Sequence, residues 1–589
     1  MCPPLRITTV TIDHLRSGRT ARGALAGFLA GGLALGIGQL IAALISSTSS
    51  PVVAVGQLSI DLTPPPVKDF AISAFGSNDK TVLVGGILVV LAIFACVFGA
   101  LALRRLAYGM IGLAVFTLVG LIAALTRPTS TATDAIPTLI GGAVAALALR
   151  QMIRAVPPEA AAVASKSPSA AGKSLPPAQA SAKDQASGKD QPKAGQPGSA
   201  KLPARPPARP AGARATPPGR PPARRPPPRL PATSRPPRRT FMATGAVVGG
   251  AAVVAGLGGR LLGERNSVSV AQRTLRIPAP AVPTRPLPAG THFDIPGLSS
   301  FITPNSSFYR VDTAIVLPEI PPASWRLRIH GMVSKEITLT FDDLIRRPLI
   351  EDYVTLCCVS NPVGGPYVGN AKWLGASMRS LLQEVGIKAG ANQLLCTSTD
   401  GFTSGTPVEL TMDGRDAMLA VAMNGTPLPV EHGFPVRLVV PGLYGYVSAC
   451  KWITDIEVTT FADAHGYWTV RGWSQQGPIK TESRIDVPAG SAAIKAGPTA
   501  VAGVAWAQHK GIEAVEVRVD RGPWHTARLA TVPGIDTWRQ WTWEWPATRG
   551  QHLLEARATD RTGYTQTALQ AQPAPNGASG YPQVLVSVE

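Results

Sequence analysis

Residues 21–45, 82–103, 108–125 and 136–153 are apolar at almost every position. A helix that is apolar all round has no face to turn to water. Each stretch approaches the ~20 residues that cross a ~30 Å hydrocarbon core, so the sequence predicts a four-helix transmembrane region over 1–156. Arg16, Arg19 and Arg22 precede the first stretch, Arg104 and Arg105 separate the second from the third, and Arg150 and Arg154 follow the fourth. The loops at 46–80 and 127–135 carry few basic residues. Positive charge is retained in the cytoplasm, which orients the bundle with its N-terminus and the Arg104–Arg105 turn inside.

The next segment, 157–240, is rich in Pro, Ala, Ser and Lys/Arg. It carries sixteen basic residues against three acids, about two thirds of the chain's net charge of +20. Such a composition buries too little apolar surface to fold and reads as a disordered linker, solvated or against anionic lipid. No nucleic-acid-binding module accompanies the charge, so no nucleic-acid partner is expected. A fifth apolar stretch opens at 241, and the region 241–262 reads as a further transmembrane helix or an internal twin-arginine-like signal, with Arg238 and Arg239 before it. Either way, everything beyond about 262 is placed on the extracytoplasmic side of the cytoplasmic membrane. None of the eight histidines lies in a predicted span. The spans therefore lack the ligands for a bis-His haem, and no haem is predicted.

From 273 onward the patterning is globular. Residues 325–332 alternate as a strand, 337–346 read as a strand and a short helix with Thr340 near its start, and 353–358 read as a strand. Residues 377–385 form an amphipathic helix that stops at Gly386. Strands and helices interleave without a βαβ period, which argues for an α+β domain over 273–486. The six cysteines show no CxxC spacing. Two of them, Cys357 and Cys358, stand where a β-type run opens into the polar loop SNPVGG. A thiol there is placed to reach a ligand, or simply to pack.

Several runs, in order, resemble the molybdopterin-binding domain of the sulfite oxidase family: TPNSSFYRVDT, TLCCVSNPVGG, NAKWLGASMRSLLQEVG, MNGTPLPVEHGFPVRLVVPGLYGYVSACKW and IKTESRID. The resemblance implies a molybdenum–molybdopterin cofactor with one pyranopterin. The family's Cys-x-x-Asn pattern falls on Cys358 and Asn361, which makes Cys358 the metal ligand and catalytic residue and Cys357 a packing or accessory thiol. The family's His-Gly-x-Pro-x-Arg run falls on His432 and Arg437, and its lysine on Lys451, as binders of the cofactor's phosphate. Asn305, Phe308, Tyr309 and Arg310 match the stretch that lines the cofactor, and Asp400 matches a further pterin contact. Arg310 and Arg471 are candidates to supply positive charge to the reaction. Departures fall on the substrate side. Pro362, Val363, Gly364 and Gly365 stand where sulfite oxidases carry an arginine, and Val470 stands near the position of their catalytic tyrosine.

Residues 487–589 read as all-β, with Val515, Val517 and Val519 alternating, and Leu554, Ala556 and Ala558 likewise. Trp538, Trp541, Trp543 and Trp545 are expected to pack a sandwich core rather than bind a ligand. This part is similar to the family's immunoglobulin-like dimerisation domain, which implies a homodimer. The whole reads as a multi-domain, membrane-anchored oxidoreductase that transfers an oxygen atom on a small, sulfur-containing substrate and passes electrons to a separate cytochrome or quinone. A sulfoxide or methionine sulfoxide reductase of the same family, and a non-catalytic membrane sensor retaining the fold, are the alternatives.

Overall fold

Uninterrupted apolar runs become long helices whose large side chains stay on the outside. The computed structural model of the chain describes residues 7–45, 49–64, 79–127, 130–156, 238–265 and 268–589, with Val67 and Phe75. The helices of the N-terminal part are α1 (Ile7–Ile45), α2 (Pro51–Leu62), α3 (Asp79–Ala102), α4 (Leu106–Leu125), α5 (Ile136–Ala155) and α6 (Arg238–Arg265). Five segments are long and apolar enough to cross a membrane: Gly18–Ile45, Lys80–Ala102, Leu106–Leu125, Ala132–Ala155 and Thr240–Leu261. The tract expected at 157–240 lies outside the described residues except at 238–240, where α6 has already begun.

Small residues set how closely these helices approach. A Cβ on Gly27 of α1 would run into the Ala95 carbonyl and the Gly99 Cα of α3, and one on Gly36 would meet the Ala252 carbonyl of α6 at 2.6 Å. Close backbone contact of this kind is how helices associate where no hydrophobic gain separates them from their solvent. α6 is thereby part of the bundle, with Phe241 and Val248 buried among Ala26, Ala30, Leu33, Leu149 and Met152. The short helix α2 falls in what the sequence suggested was a loop. Pro51 sits at its first turn, where a missing N–H costs nothing.

The next module contains two sheets. The first has β3 (Leu349–Cys357), β4 (Val368–Ser377), β7 (Met418–Met423) and β8 (Thr426–Pro427) in that order, with β9 (Arg437–Val439) also on β7. The second runs β2 (Ile337–Thr340), β1 (Arg326–Gly331), β10 (Ile453–Thr459), β5 (Gln393–Ser398) and β6 (Thr403–Pro407). Among the named strands of both sheets only β1 and β10 pair in parallel and the rest pair antiparallel, as in an α+β domain. The helix Met378–Val385 buries Met378, Leu381, Leu382 and Val385, capped by the Ser377 hydroxyl at its start and by Gly386 at φ +67° at its end.

Two further sheets close the chain. One has β11 (Glu482–Val487), β13 (Gly497–Trp506), β17 (Arg539–Ala547) and β16 (Arg528–Leu529). The other has β12 (Ala493–Ile494), β19 (Gln583–Val588), β18 (Gly550–Asp560), β14 (Ile512–Val519) and β15 (His525–Thr526). Val501, Val515, Val517, Trp541, Trp545, Leu554, Ala556 and Val586 fill the space between them. Just ahead of residue 487, β11 pairs with β13 and sends Ile485 into this second core. Trp538 packs elsewhere. It sits in the larger core, with its indole N–H on the Phe301 carbonyl (2.8 Å) and its backbone N–H on Thr355 Oγ1 (2.7 Å), and so joins the two modules.

Candidate active site

The thiol pair is separated by the end of a strand. Cys357 is the last residue of β3, opposite Val368, and is wholly buried in the core. One residue later the chain turns, and Cys358 lines a cavity. Asn361 holds the turn: its backbone N–H donates to the Cys358 carbonyl (3.1 Å), and its side-chain oxygen accepts from the Tyr367 N–H (2.8 Å). Gly365 is needed there, since a Cβ would stand 2.7 Å from that same oxygen, and Gly364 takes φ +72°. Burial pushes the Cys358 thiol up, while the Ser360 backbone N–H and hydroxyl act to bring it down. Cys357 is pushed well up by burial, then by Glu482. Donors aimed at a sulfur favour its thiolate, the form that binds a metal. Cys357→Ala is expected to lower stability by about 1 kcal/mol and leave activity within about three-fold of the parent, since only a small core atom is lost. Thermal unfolding and turnover measured on one preparation check this.

The same cavity holds two buried cations, Arg437 and Lys451, beside Asp312 and Asp400. His432 lies in a short 3₁₀ turn, 430–432, and Gly433 follows at φ +107°. A Cβ on Gly433 would stand 3.0 Å from the Cβ of Arg437 and 3.1 Å from that of Lys451, so this glycine lets the two cations approach. Arg437 is buried, stacks on Trp373 at 5.0 Å, and donates to the carbonyls of His432 (3.1 Å) and Ala449 (3.3 Å). Among the described residues no carboxylate pairs with it. Lys451 donates to Asp312 Oδ2 (2.9 Å) and to the Glu431 carbonyl (3.1 Å). Burial pushes the Asp312 carboxyl up, but Lys451, Lys80 and Arg310 outweigh it and hold it well below the usual carboxylate range. His432 goes the other way. Burial and then Arg437 lower it to about 4, so at neutral pH it is uncharged, and its Nε2–H donates to the Asn305 carbonyl (3.1 Å). A buried arginine without an anion is costly, which makes the cavity fit a phosphate-class ligand.

Of the residues singled out from sequence, Cys358, Phe308, Tyr309, Asp400, His432, Arg437 and Lys451 line the one cavity. Asn305 and Arg310 stand behind it: Asn305 positions His432, and Arg310 donates to Asp312 (2.8 Å). Arg471 is not brought to the lining. Its guanidinium lies 3.5 Å from the Tyr467 ring centroid and donates to the Tyr467 carbonyl, which holds it off the cavity. Sequence reasoning missed an aromatic part of the lining, formed by Tyr446, Trp468 and Trp473. Trp468 and Trp473 meet edge-on at 6.1 Å, and Tyr446 stands 6.2 Å from Trp473. The aromatic density of YWTVRGW was the available signal.

Glu482 lies behind the Cys357 side of the site. It is buried, with Oε1 unpartnered, and burial, opposed by Lys480, raises its pKa to about 8. The folded chain thus keeps this proton up to about pH 8, while the unfolded chain releases it near 4.5. Its stabilising effect is full below pH 4.5 and lost as pH rises through 8. Glu482→Gln is expected to remove a loss on the order of 3–5 kcal/mol across that window, visible as a flatter dependence of Tm on pH.

Comparisons with known proteins bear on this cavity. A family model described as the oxidoreductase molybdopterin binding domain matches residues 314–468, which include Cys358, Asp400, His432, Arg437 and Lys451. Sulfite oxidase of Gallus gallus is 31% identical over 291 residues, covering 41% of this chain and 62% of its own length. The uncharacterized oxidoreductase YuiH of Bacillus subtilis is 31% identical over 153 residues, covering 26% of this chain and 74% of its own. Among solved structures, the sulfane dehydrogenase SoxCD from Paracoccus pantotrophus is similar at 25% identity with a TM-score of 0.44, over 50% of this chain and 84% of that one. The chain spans 62% of the length of the Gallus gallus enzyme and 55% of that of the mitochondrial sulfite oxidase of Homo sapiens.

Proposed function

Because this chain belongs to the sulfite oxidase family of molybdopterin-binding oxidoreductases, we propose that it is a membrane-anchored enzyme that moves an oxygen atom to or from a small sulfur-containing substrate. The observation that carries this reading is one cavity lined by Cys358 together with Arg437 and Lys451. The donor set fits a single pyranopterin. Cys358 would hold the molybdenum as a soft thiolate, and Arg437 with Lys451 would hold the dianionic phosphate. His432, neutral and fixed through Nε2 on Asn305, keeps Nδ1 as an acceptor. When bound, the cofactor supplies two-electron oxygen-atom chemistry, with water as the source or sink of the oxygen. Phe308, Leu356, Val359, Phe402 and Trp452 add an apolar lining that limits competing water.

Anchoring rests on the five apolar helices. Arg104 with Arg105, Arg154 and Arg238 lie at the end of the bundle opposite Lys80, which touches the catalytic module and shares its end with Arg127. By the positive-inside rule this supports a catalytic module on the extracytoplasmic face of the cytoplasmic membrane. Electrons would then pass to a separate cytochrome or quinone, and the C-terminal pair of sheets, read as an immunoglobulin-like domain, would serve a homodimer.

One observation favours a narrower reading, reduction of a sulfoxide such as methionine sulfoxide. Among the described residues no lysine or arginine besides Arg437 and Lys451 lines the cavity, and Tyr446, Trp468 and Trp473 form part of its lining. An oxyanion such as sulfite gains little from such a lining; a neutral sulfoxide packs on it. The sulfoxide would leave as sulfide and water, taking two electrons and two protons. Dye-coupled assays separate the readings. Oxidation of a reduced viologen by a sulfoxide panel, with little ferricyanide reduction by sulfite, supports the reductase; activity with sulfite alone rules it out.

A further inference from the structure

The strap 310–316 faces two ways. Val311, Asp312 and Thr313 line the cavity, while Ala314 and Ile315 meet the helical bundle. Lys80, at the start of α3, donates to Asp312 Oδ1 (2.5 Å), to the Asp312 carbonyl (2.8 Å) and to the Ala314 carbonyl (2.7 Å). A Cβ on Gly56 of α2 would stand 2.6 Å from Ile315 Cδ1. A second basic residue of the bundle, Arg127, feels the charge of Asp400, which in turn accepts from Thr313 Oγ1 (3.2 Å). Asp312 is only 3% exposed in its side chain, and its two oxygens are shared among Lys80, Lys451 and Arg310.

We propose that Lys80 is a positioning residue of the cofactor's phosphate site, acting from the membrane bundle through Asp312. This rests on the molybdopterin reading above. A lone buried carboxylate beside Lys451 would claim that ammonium as its own counter-ion and repel an incoming dianion. Arg310 shares Oδ2 with Lys451, and Lys80 supplies the cation on Oδ1. With Lys80 on Oδ1, Lys451 on Oδ2 and Arg437 nearby, the cluster keeps a surplus of positive charge for the phosphate to balance. The bundle is then a working wall of the pocket, and cofactor retention and bundle docking are linked: whatever strengthens one strengthens the other.

The test uses the full-length chain purified in detergent, with released molybdopterin followed by fluorescence after oxidation. Lys80→Met is expected to lose the cofactor at least about ten-fold faster than the parent, the size of a lost charge-assisted hydrogen bond. Lys80→Met combined with Asp312→Asn is expected to recover most of the parent rate, because the carboxylate that Lys80 offsets is gone. A purely structural contact would give no such recovery. Parent-like loss from Lys80→Met, or equal fast loss from the single and double variants, overturns the proposal. A second measurement needs no variant. Acylation of Lys80 by a small amine reagent, read by mass spectrometry, should be slower in cofactor-loaded than in cofactor-free parent protein, and equal rates overturn the linkage. Parent protein that never contains molybdenum would instead defeat the molybdopterin reading itself.

Discussion

Cys358→Ala is expected to lower turnover at least about a thousand-fold, a cost of ~4 kcal/mol in the barrier, while the chain still folds. Among the described residues no other sulfur lines the cavity: of the two adjacent thiols only Cys358 reaches it, and Cys357 is wholly buried at the strand end. The loop that presents Cys358 is held by Asn361, Gly364 and Gly365, none of which depends on the thiol, so the fold survives the change. Steady-state rates with unfolding curves on the same samples check both halves. The reverse pattern, activity lost on Cys357→Ala and kept on Cys358→Ala, would reassign the ligand.

The second large effect is on the cofactor rather than the rate. Arg437→Met is expected to cut molybdopterin content about ten- to a hundred-fold, the value of one or two charge-assisted hydrogen bonds. The cofactor-free form should be as stable as the parent or more so. Burial brings the Arg437 guanidinium down to about 10, and its hydrogen-bond partners are carbonyls only. An apolar side chain of similar length relieves that burden in the empty protein. Pterin content and Tm measured together decide: a fall in both would mean that Arg437 serves the fold.

Much of this was legible in the residues. The bundle announces itself through unbroken apolar runs, and the helix at Met378–Val385 through its period, its Ser377 cap and Gly386. The grouping of Cys358, His432, Arg437 and Lys451 was legible because they keep motif spacing, and all four line one cavity. Other features depend on contacts between distant segments. Asp312 lies in the quoted run FYRVDT, yet its weight comes from Lys80, 232 positions upstream. The aromatic wall joins Tyr446 to Trp468 and Trp473, and no local period relates them. Arg471 had the right chemistry and the wrong direction, because its stacking on Tyr467 is invisible in one dimension. The strand β11 went unread, because its partner β13 lies in the following module and no local pattern names a partner.

The central claim, a molybdopterin enzyme with Cys358 as its metal ligand, is tested most directly by metal analysis. Full-length protein from a cofactor-competent host, purified in detergent, should contain about one molybdenum per chain, with a sulfur from Cys358 in its coordination sphere by X-ray absorption. The Cys358→Ala protein should lack that sulfur. Folded parent protein with molybdenum far below one per chain, or an unchanged sulfur count in the variant, would contradict the account.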